Sequence, residues 1–160
     1  MSNIKKLLEK DDEIFVFDID GVLAYLEFGD FNHYEMDDEK WNEANLKGIN
    51  FYDEKLVIKT MQEYLKNKDM SKIYACSKTY SLNEQKSKID FLIKFYNFKK
   101  ENIYFVKENN DKLNILFQIK NDLHINDEKQ IAIVDDTVDI LNYVMDNSNF
   151  ATIHISSFLK

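Results

Sequence analysis

The 160-residue sequence contains no proline and no arginine, one cysteine (Cys76), and three glycines, all between residues 21 and 48. Without an X-Pro bond there is no native cis-proline and no slow isomerisation phase in folding. A single cysteine excludes an intrachain disulfide, and at this length folding buries about two thirds of the unfolded chain's surface, so no staple is required. No run of 18 apolar residues occurs, which excludes a membrane-spanning helix. The opening stretch from Met1 to Lys10 carries too little apolar character for a signal peptide. The expectation is one soluble, cytoplasmic domain over residues 1–160, in a reducing compartment.

All 21 basic residues are lysines, set against 29 acidic ones, for a formal charge of -8. Such a field repels a phosphate backbone, so neither nucleic acid nor a membrane is expected as a partner. Any phosphate bound here is held by lysine, hydroxyl, backbone N–H or metal, because no guanidinium fork exists.

Five short apolar runs stand out: Glu13 to Asp18, Lys72 to Ser77, Asn102 to Lys107, Gln130 to Asp135 and Ala151 to Ser156. Rich in Ile, Val, Phe and Tyr, they read as strands buried on both faces. Between them, Val57/Met61/Tyr64/Leu65, Ile89/Leu92/Ile93/Tyr96, Leu113/Leu116/Phe117 and Val138/Leu141/Val144/Met145 repeat at helical spacing. Alternating strands and helices predict an α/β, doubly wound (Rossmann-like) five-stranded parallel sheet flanked by helices. Ligands in such sheets bind beyond the carboxyl ends of the strands, where the winding reverses. The residues placed there are Asp18 and Asp20, Ser77, the Lys107 to Lys112 segment, and Asp135-Asp136.

Asp18 and Asp20 share a spacing that puts both side chains on the same side of a strand end. If their strand neighbours the one ending in Asp135-Asp136, up to four carboxylates converge. Like charges about 4 Å apart cost about 4 kcal/mol at the effective dielectric of a protein surface. A cation is therefore needed, and few, open, hard oxygen ligands suit Mg²⁺ with retained waters and a substrate phosphate.

These residues carry a family resemblance. Phe15-Val-Phe-Asp18-Ile-Asp20-Gly21-Val22-Leu23-Ala24 resembles the first motif of the haloacid dehalogenase (HAD) superfamily, and Ile73-Tyr-Ala-Cys-Ser77 its second. Asn110-Asp111-Lys112-Leu113 resembles the third motif, and Ile131-Ala-Ile-Val-Asp135-Asp136-Thr-Val-Asp139 the acidic fourth. The four stand in family order from Phe15 to Asp139. Val22 in place of Thr, Lys78 after Ser77 and Val134 before Asp135 depart from the usual pattern without removing a reacting group.

The resemblance implies a Mg²⁺-dependent phosphatase acting on a small phosphorylated substrate through an aspartyl-phosphate. It implies Asp18 as nucleophile and Asp20 as acid/base. Ser77 and Lys112 would hold the phosphoryl group. The metal would be held by Asp18, Asp135 and the backbone carbonyl of Asp20, with Asp136 in support. Among the lysines, Lys112 opens a helical stretch as the family pattern expects, whereas Lys107 and Lys88 lack that position and are expected to be silent. Asp139 either orients Lys112 or is an exposed helix residue.

Family members carry caps of differing size. Here residues 24–51 allow a small flap, turning near Gly29-Asp30, with a short helix around Asp37 to Leu46. The chain resembles a capless or small-cap member. In so open a site, specificity would rest on Phe28, Phe31, His33, Tyr34 or Trp41, or on a neighbouring subunit of a homo-oligomer. Cys76, His124 and His154 read as structural residues. The competing readings are a phosphatase of nucleotides or nucleic-acid 3' ends, since Asp18 to Ala24 also resembles the phosphatase domain of polynucleotide kinases, and a non-catalytic HAD-like binding module.

Overall fold

The computed structural model describes residues 3–10, 13–25 and 38–159. Five strands form one parallel sheet: β1 (Ile14–Phe17), β2 (Ile73–Lys78), β3 (Ile103–Val106), β4 (Ile131–Asp135) and β5 (Ala151–His154), in the order β3-β2-β1-β4-β5. The helices are α1 (Asn3–Glu9), α2 (Asp38–Leu46), α3 (Lys59–Leu65), α4 (Leu82–Tyr96), α5 (Lys112–Asp122) and α6 (Val138–Asn147). The α/β doubly wound reading holds. With β1 central, the winding reverses between β1 and β4, the point where sheets of this kind form a crevice beyond the carboxyl ends of their strands.

Successive strand residues face opposite sides of the sheet, which divides the core into two layers. Phe15 and Phe17 pack with Met61 and Leu65 of α3 and with Phe91, Leu92 and Tyr96 of α4. Ile14 and Val16 pack with Leu113, Leu116 and Ile119 of α5 and with Ile140, Leu141 and Val144 of α6. Residues of β1 and β4 are buried throughout, as an apolar run with no alternation requires. β3 and β5 differ from the sequence expectation of burial on both faces, because each is an edge strand with a neighbour on one side only, and most of its residues are partly exposed.

After β1 the chain turns sharply, the Ile19 carbonyl accepting from the N–H groups of Leu23 and Ala24. Ala24 meets Val57 in an antiparallel bridge, and the residues between them stand as an insertion in the strand–helix alternation. Tyr25 N–H donates to the Leu56 carbonyl and Ile58 N–H to that of Leu23, closing the base of the insertion. α2 lies within it, close to the helix expected there. The Gly29-Asp30 turn and Phe28, Phe31, His33 and Tyr34 lie outside the described residues. Among those described, no helix is long and apolar enough to cross a membrane.

Candidate active site

β1 and β4 run in register from Ile14 beside Ile131 to Phe17 beside Val134, so Asp18 and Asp135 emerge together at the crevice. Asp18 is latched there by its own backbone, its N–H donating to the Val134 carbonyl at 2.9 Å. Asp18, Asp135 and Asp136 each present an oxygen, and these oxygens lie within 4.8 Å of one another. Asp135 is fully buried; its Oδ1 accepts from the backbone N–H of Thr137 at 2.9 Å, and its Oδ2 from Lys112 Nζ at 2.8 Å.

Lys112 opens α5, whose first turn lies against the carboxyl edge of the sheet, and the side chain runs inward, almost wholly buried. Its ammonium bridges Asp135 and Asp18, the latter at 3.1 Å from Oδ1. Burial pulls this ammonium down, but the two carboxylates outweigh burial and hold it above its ordinary value. Asp18 responds in the opposite sense: burial is the largest influence and raises it, Lys112 lowers it, Asp135 and Asp20 raise it again, and it stands at about 6. Burial, then Asp18, also pushes Asp136 up. The crevice therefore crowds three carboxylates around one ammonium.

A magnesium ion fits this set on two observations. Hard carboxylate oxygens are the donors it selects. In addition, Asp18 Oδ1 is buried and accepts no hydrogen bond despite its ion contact with Lys112, and such an oxygen is costly unless a cation satisfies it. Gly21 makes room for the third carboxylate. Its φ is +76°, and a side-chain carbon there would overlap the Asp136 carboxylate. His154, expected to be merely structural, braces the same loop, with Nε2 3.1 Å from the Asp136 backbone oxygen and Nδ1 accepting from Ser156 N–H at 3.2 Å.

Asp20 departs from the expectation of four converging carboxylates: its side chain turns toward β2 and the insertion instead. Oδ2 lies 2.6 Å from Lys88 Nζ and 3.5 Å from Ser77 Oγ, and Oδ1 accepts from the Tyr52 hydroxyl at 2.6 Å. The reason is electrostatic, since Lys112 is already shared by Asp18 and Asp135, and Lys88 is the ammonium within Asp20's reach. Ser77, at the end of β2, is buried and faces the same group.

Sequence reasoning therefore missed Lys88, Glu84 and Tyr52. Lys88, expected to be a silent helix lysine, has no exposed surface. Its ammonium meets Asp20, Glu84 at 2.9 Å, Ser77 Oγ at 3.0 Å and the Lys78 carbonyl at 2.9 Å. Burial lowers it, and Asp20 with Glu84 more than restores it, leaving it raised. The one signal was the Glu84/Lys88 spacing of four within a helix whose apolar face points at the sheet. Lys107 is exposed, as is Asp139, and the carboxylates on Lys112 are Asp18 and Asp135. Cys76 is buried, which pushes its thiol up to about 12 and leaves it a small apolar group. Trp41 is buried too, stacked on Phe51 and edge-on to Tyr52, so it anchors α2 rather than facing the crevice.

No protein-family model matches the sequence, and no curated protein matches it. Solved structures do. DsGPDH of Dunaliella salina superposes with a TM-score of 0.57 at 11% identity, over 93% of this chain and 24% of its own, so the present chain spans about a quarter of that protein. A HAD family enzyme from Bacteroides thetaiotaomicron, solved as a magnesium complex, gives a TM-score of 0.52 at 14% identity over 91% of this chain and 93% of its own. The UTR4 protein of Saccharomyces cerevisiae gives 0.50 at 12% identity over 88% and 89%. At these identities the likeness is one of fold. The chain shares the fold of these proteins, with three acidic side chains gathered between the ends of β1 and β4.

Proposed function

We propose that this chain is a small-cap member of the HAD superfamily, a Mg²⁺-dependent hydrolase of small phosphate monoesters working through an aspartyl-phosphate. The observation that carries the reading is Asp18: a buried carboxylate at the switch point of the sheet, beside Lys112 and within one cluster with Asp135 and Asp136. The HAD family enzyme of like fold was solved with magnesium, which supports the choice of ion.

In this reading an Asp18 oxygen attacks phosphorus, and the bond from phosphorus to the leaving oxygen breaks as the new one forms. Asp20 gives the leaving oxygen its proton. Water then attacks the phosphorus, Asp20 takes the proton, and inorganic phosphate departs as the Asp18 carboxylate is restored; two easier displacements replace one difficult one. Lys112 and the Ser77 hydroxyl steady the phosphoryl oxygens by charge and hydrogen bonding. Asp18, Asp135 and Asp136, with the backbone carbonyl of Asp20, would hold Mg²⁺, whose charge would offset the repulsion between an anionic nucleophile and an anionic ester. The charge of -8 and the absence of arginine favour a small ester over a nucleic-acid end.

The test is hydrolysis of an activated aryl phosphate with and without Mg²⁺, by wild type and by Asp18→Asn. Turnover is expected to need the ion and to vanish in the variant while its fold persists. Activity of a folded Asp18→Asn protein within about tenfold of wild type, about 1.4 kcal/mol in barrier, removes Asp18 as the nucleophile.

A further inference from the structure

The surroundings of Asp20 contain more than an acid/base alone requires. An ammonium has three hydrogens, and Lys88 Nζ faces four acceptors: Asp20 Oδ2 at 2.6 Å, Glu84 Oε1 and the Lys78 carbonyl at 2.9 Å, and Ser77 Oγ at 3.0 Å. All its hydrogens are spent inside the protein, so Lys88 is not a phosphate ligand. Its side chain reaches this point because helical side chains lean toward the helix N-terminus, and α4 begins just beyond the end of β2. Glu84, one turn earlier, fixes the ammonium from the other side; its Oε2 accepts from Tyr80 N–H at 2.9 Å and lies 3.5 Å from Asn45 Nδ2 of α2.

Two consequences follow for the reacting groups. Ser77 Oγ accepts from Lys88, while the partners for its own hydrogen are remote: the Lys78 carbonyl at 3.4 Å and Asp20 Oδ2 at 3.5 Å. Hydroxyl hydrogen bonds normally span 2.5–3.0 Å, so that hydrogen remains to be given to a ligand. Asp20, for its part, is gripped at both oxygens, by Lys88 on one and by the Tyr52 hydroxyl on the other at 2.6 Å. Tyr52 is itself held by ring contacts with Trp41 and Phe91, and the Lys88 ammonium lies 5.8 Å from its ring centre.

We propose that Lys88 and Tyr52 are positioning residues of this site: together they fix the Asp20 carboxylate in one orientation, and Lys88 turns the Ser77 hydroxyl outward as a donor. This rests on the reading of Asp20 as the acid/base. Tyr52 comes from the insertion, so the same contact ties the insertion to the proton-transfer step.

The experiment compares two Mg²⁺-dependent substrates, an alkyl phosphate whose leaving oxygen needs a proton and dinitrophenyl phosphate whose leaving oxygen does not. Tyr52→Phe keeps the ring and removes one hydroxyl. Lys88→Met alone strands the buried Glu84, so it is paired with Glu84→Gln, which removes one charge of each sign. Tyr52→Phe is expected to lose at least about tenfold in kcat/KM, which reports formation of the aspartyl-phosphate alone, on the alkyl ester and to stay within about threefold in kcat/KM on the aryl ester. Lys88→Met/Glu84→Gln is expected to show the same difference between the two substrates and, through Ser77, a raised KM on both. Equal losses of kcat/KM on the two substrates in Tyr52→Phe, or folded variants within about threefold of wild type on both, overturn the proposal while leaving the phosphatase reading intact. If the double variant does not fold, the Tyr52→Phe result decides. Wild type inert on both substrates overturns the phosphatase reading itself, and the positioning roles with it.

Discussion

Gly21 and Asp136 share a space that admits only one side chain. The Asp136 carboxylate occupies the position a Cβ at residue 21 would take, and the backbone there has a positive φ that glycine adopts without strain. The tight turn after β1 and the acidic loop after β4 are thus shaped to each other. Gly21→Ala is expected to destabilise the fold by about 1–2 kcal/mol through the left-handed backbone alone, and to displace Asp136 in addition. Thermal unfolding with and without Mg²⁺ checks this: the variant should melt lower and gain less from the ion than wild type. An unchanged Mg²⁺ response would separate Asp136 from the metal.

Lys112 gives a second prediction. It is buried between Asp18 and Asp135, and breaking a buried ion pair on one side typically costs about 3–5 kcal/mol. A positioned cation on a transferring phosphoryl group is worth about 10²-fold or more in rate. Lys112→Met should therefore lose stability and at least that factor in kcat/KM, whereas exposed Lys107→Ala should match wild type. Denaturant unfolding and steady-state kinetics on the folded fraction decide. A folded Lys112→Met enzyme of near-normal activity would move the phosphate-holding role elsewhere.

The strand-end acids were legible because a parallel sheet delivers the residue after each buried run to the same edge. Phe15 to Asp20 and Ile131 to Asp136 announce both the strand and the side chain it presents. Lys112 was legible through the family resemblance, whose third motif sets a lysine at the start of a helix. Lys88 was not, since a glutamate and lysine four apart on a helix normally form a solvated pair of small value, and lysine is almost never fully buried without a partner. Its burial depends on Asp20 reaching across from another element, a tertiary fact without local signature. Tyr52 was hidden for the same reason: it enters from an insertion without periodicity, and its hydroxyl partner is 32 residues away. The edge strands β3 and β5 show the limit of reading burial from apolar runs, for strand order is not written in the run itself.

Asp20 supplies a prediction about the order of steps. If it activates the water, Asp20→Asn slows breakdown of the aspartyl-phosphate as well as its formation. With dinitrophenyl phosphate, whose leaving group needs no proton, formation is spared and phosphorylated protein should accumulate. Intact mass spectrometry after an acid quench should show one added phosphoryl group in the variant and little in wild type. Absence of the adduct, with wild-type turnover fast, would assign water activation to another group.

The last prediction concerns what the site costs the fold. The folded-state value of Asp18, about 6, lies above the ordinary 3.8, because burial, opposed by Lys112 and reinforced by Asp135 and Asp20, disfavours the charged form. A carboxyl raised on folding binds its proton more tightly in the folded state, so its effect on stability is unfavourable at high pH. Without metal, stability should decline as pH rises from 3.8 toward about 6, with the full cost present above that. Asp18→Asn removes the charge and hence the cost. Metal-free Asp18→Asn is expected to be more stable than wild type at neutral pH by about 1–3 kcal/mol, with the gap closing in acid. Mg²⁺ reverses the order, since an ion bound only by the folded wild type stabilises it by mass action. That gain should fade as pH falls through about 6 and protons compete for Asp18. Calorimetric melting of both proteins across this range, with and without Mg²⁺, provides the measurement. Identical metal-free curves would mean that Asp18 is not strained by its burial, and a Mg²⁺ gain retained in Asp18→Asn would place the ion away from it.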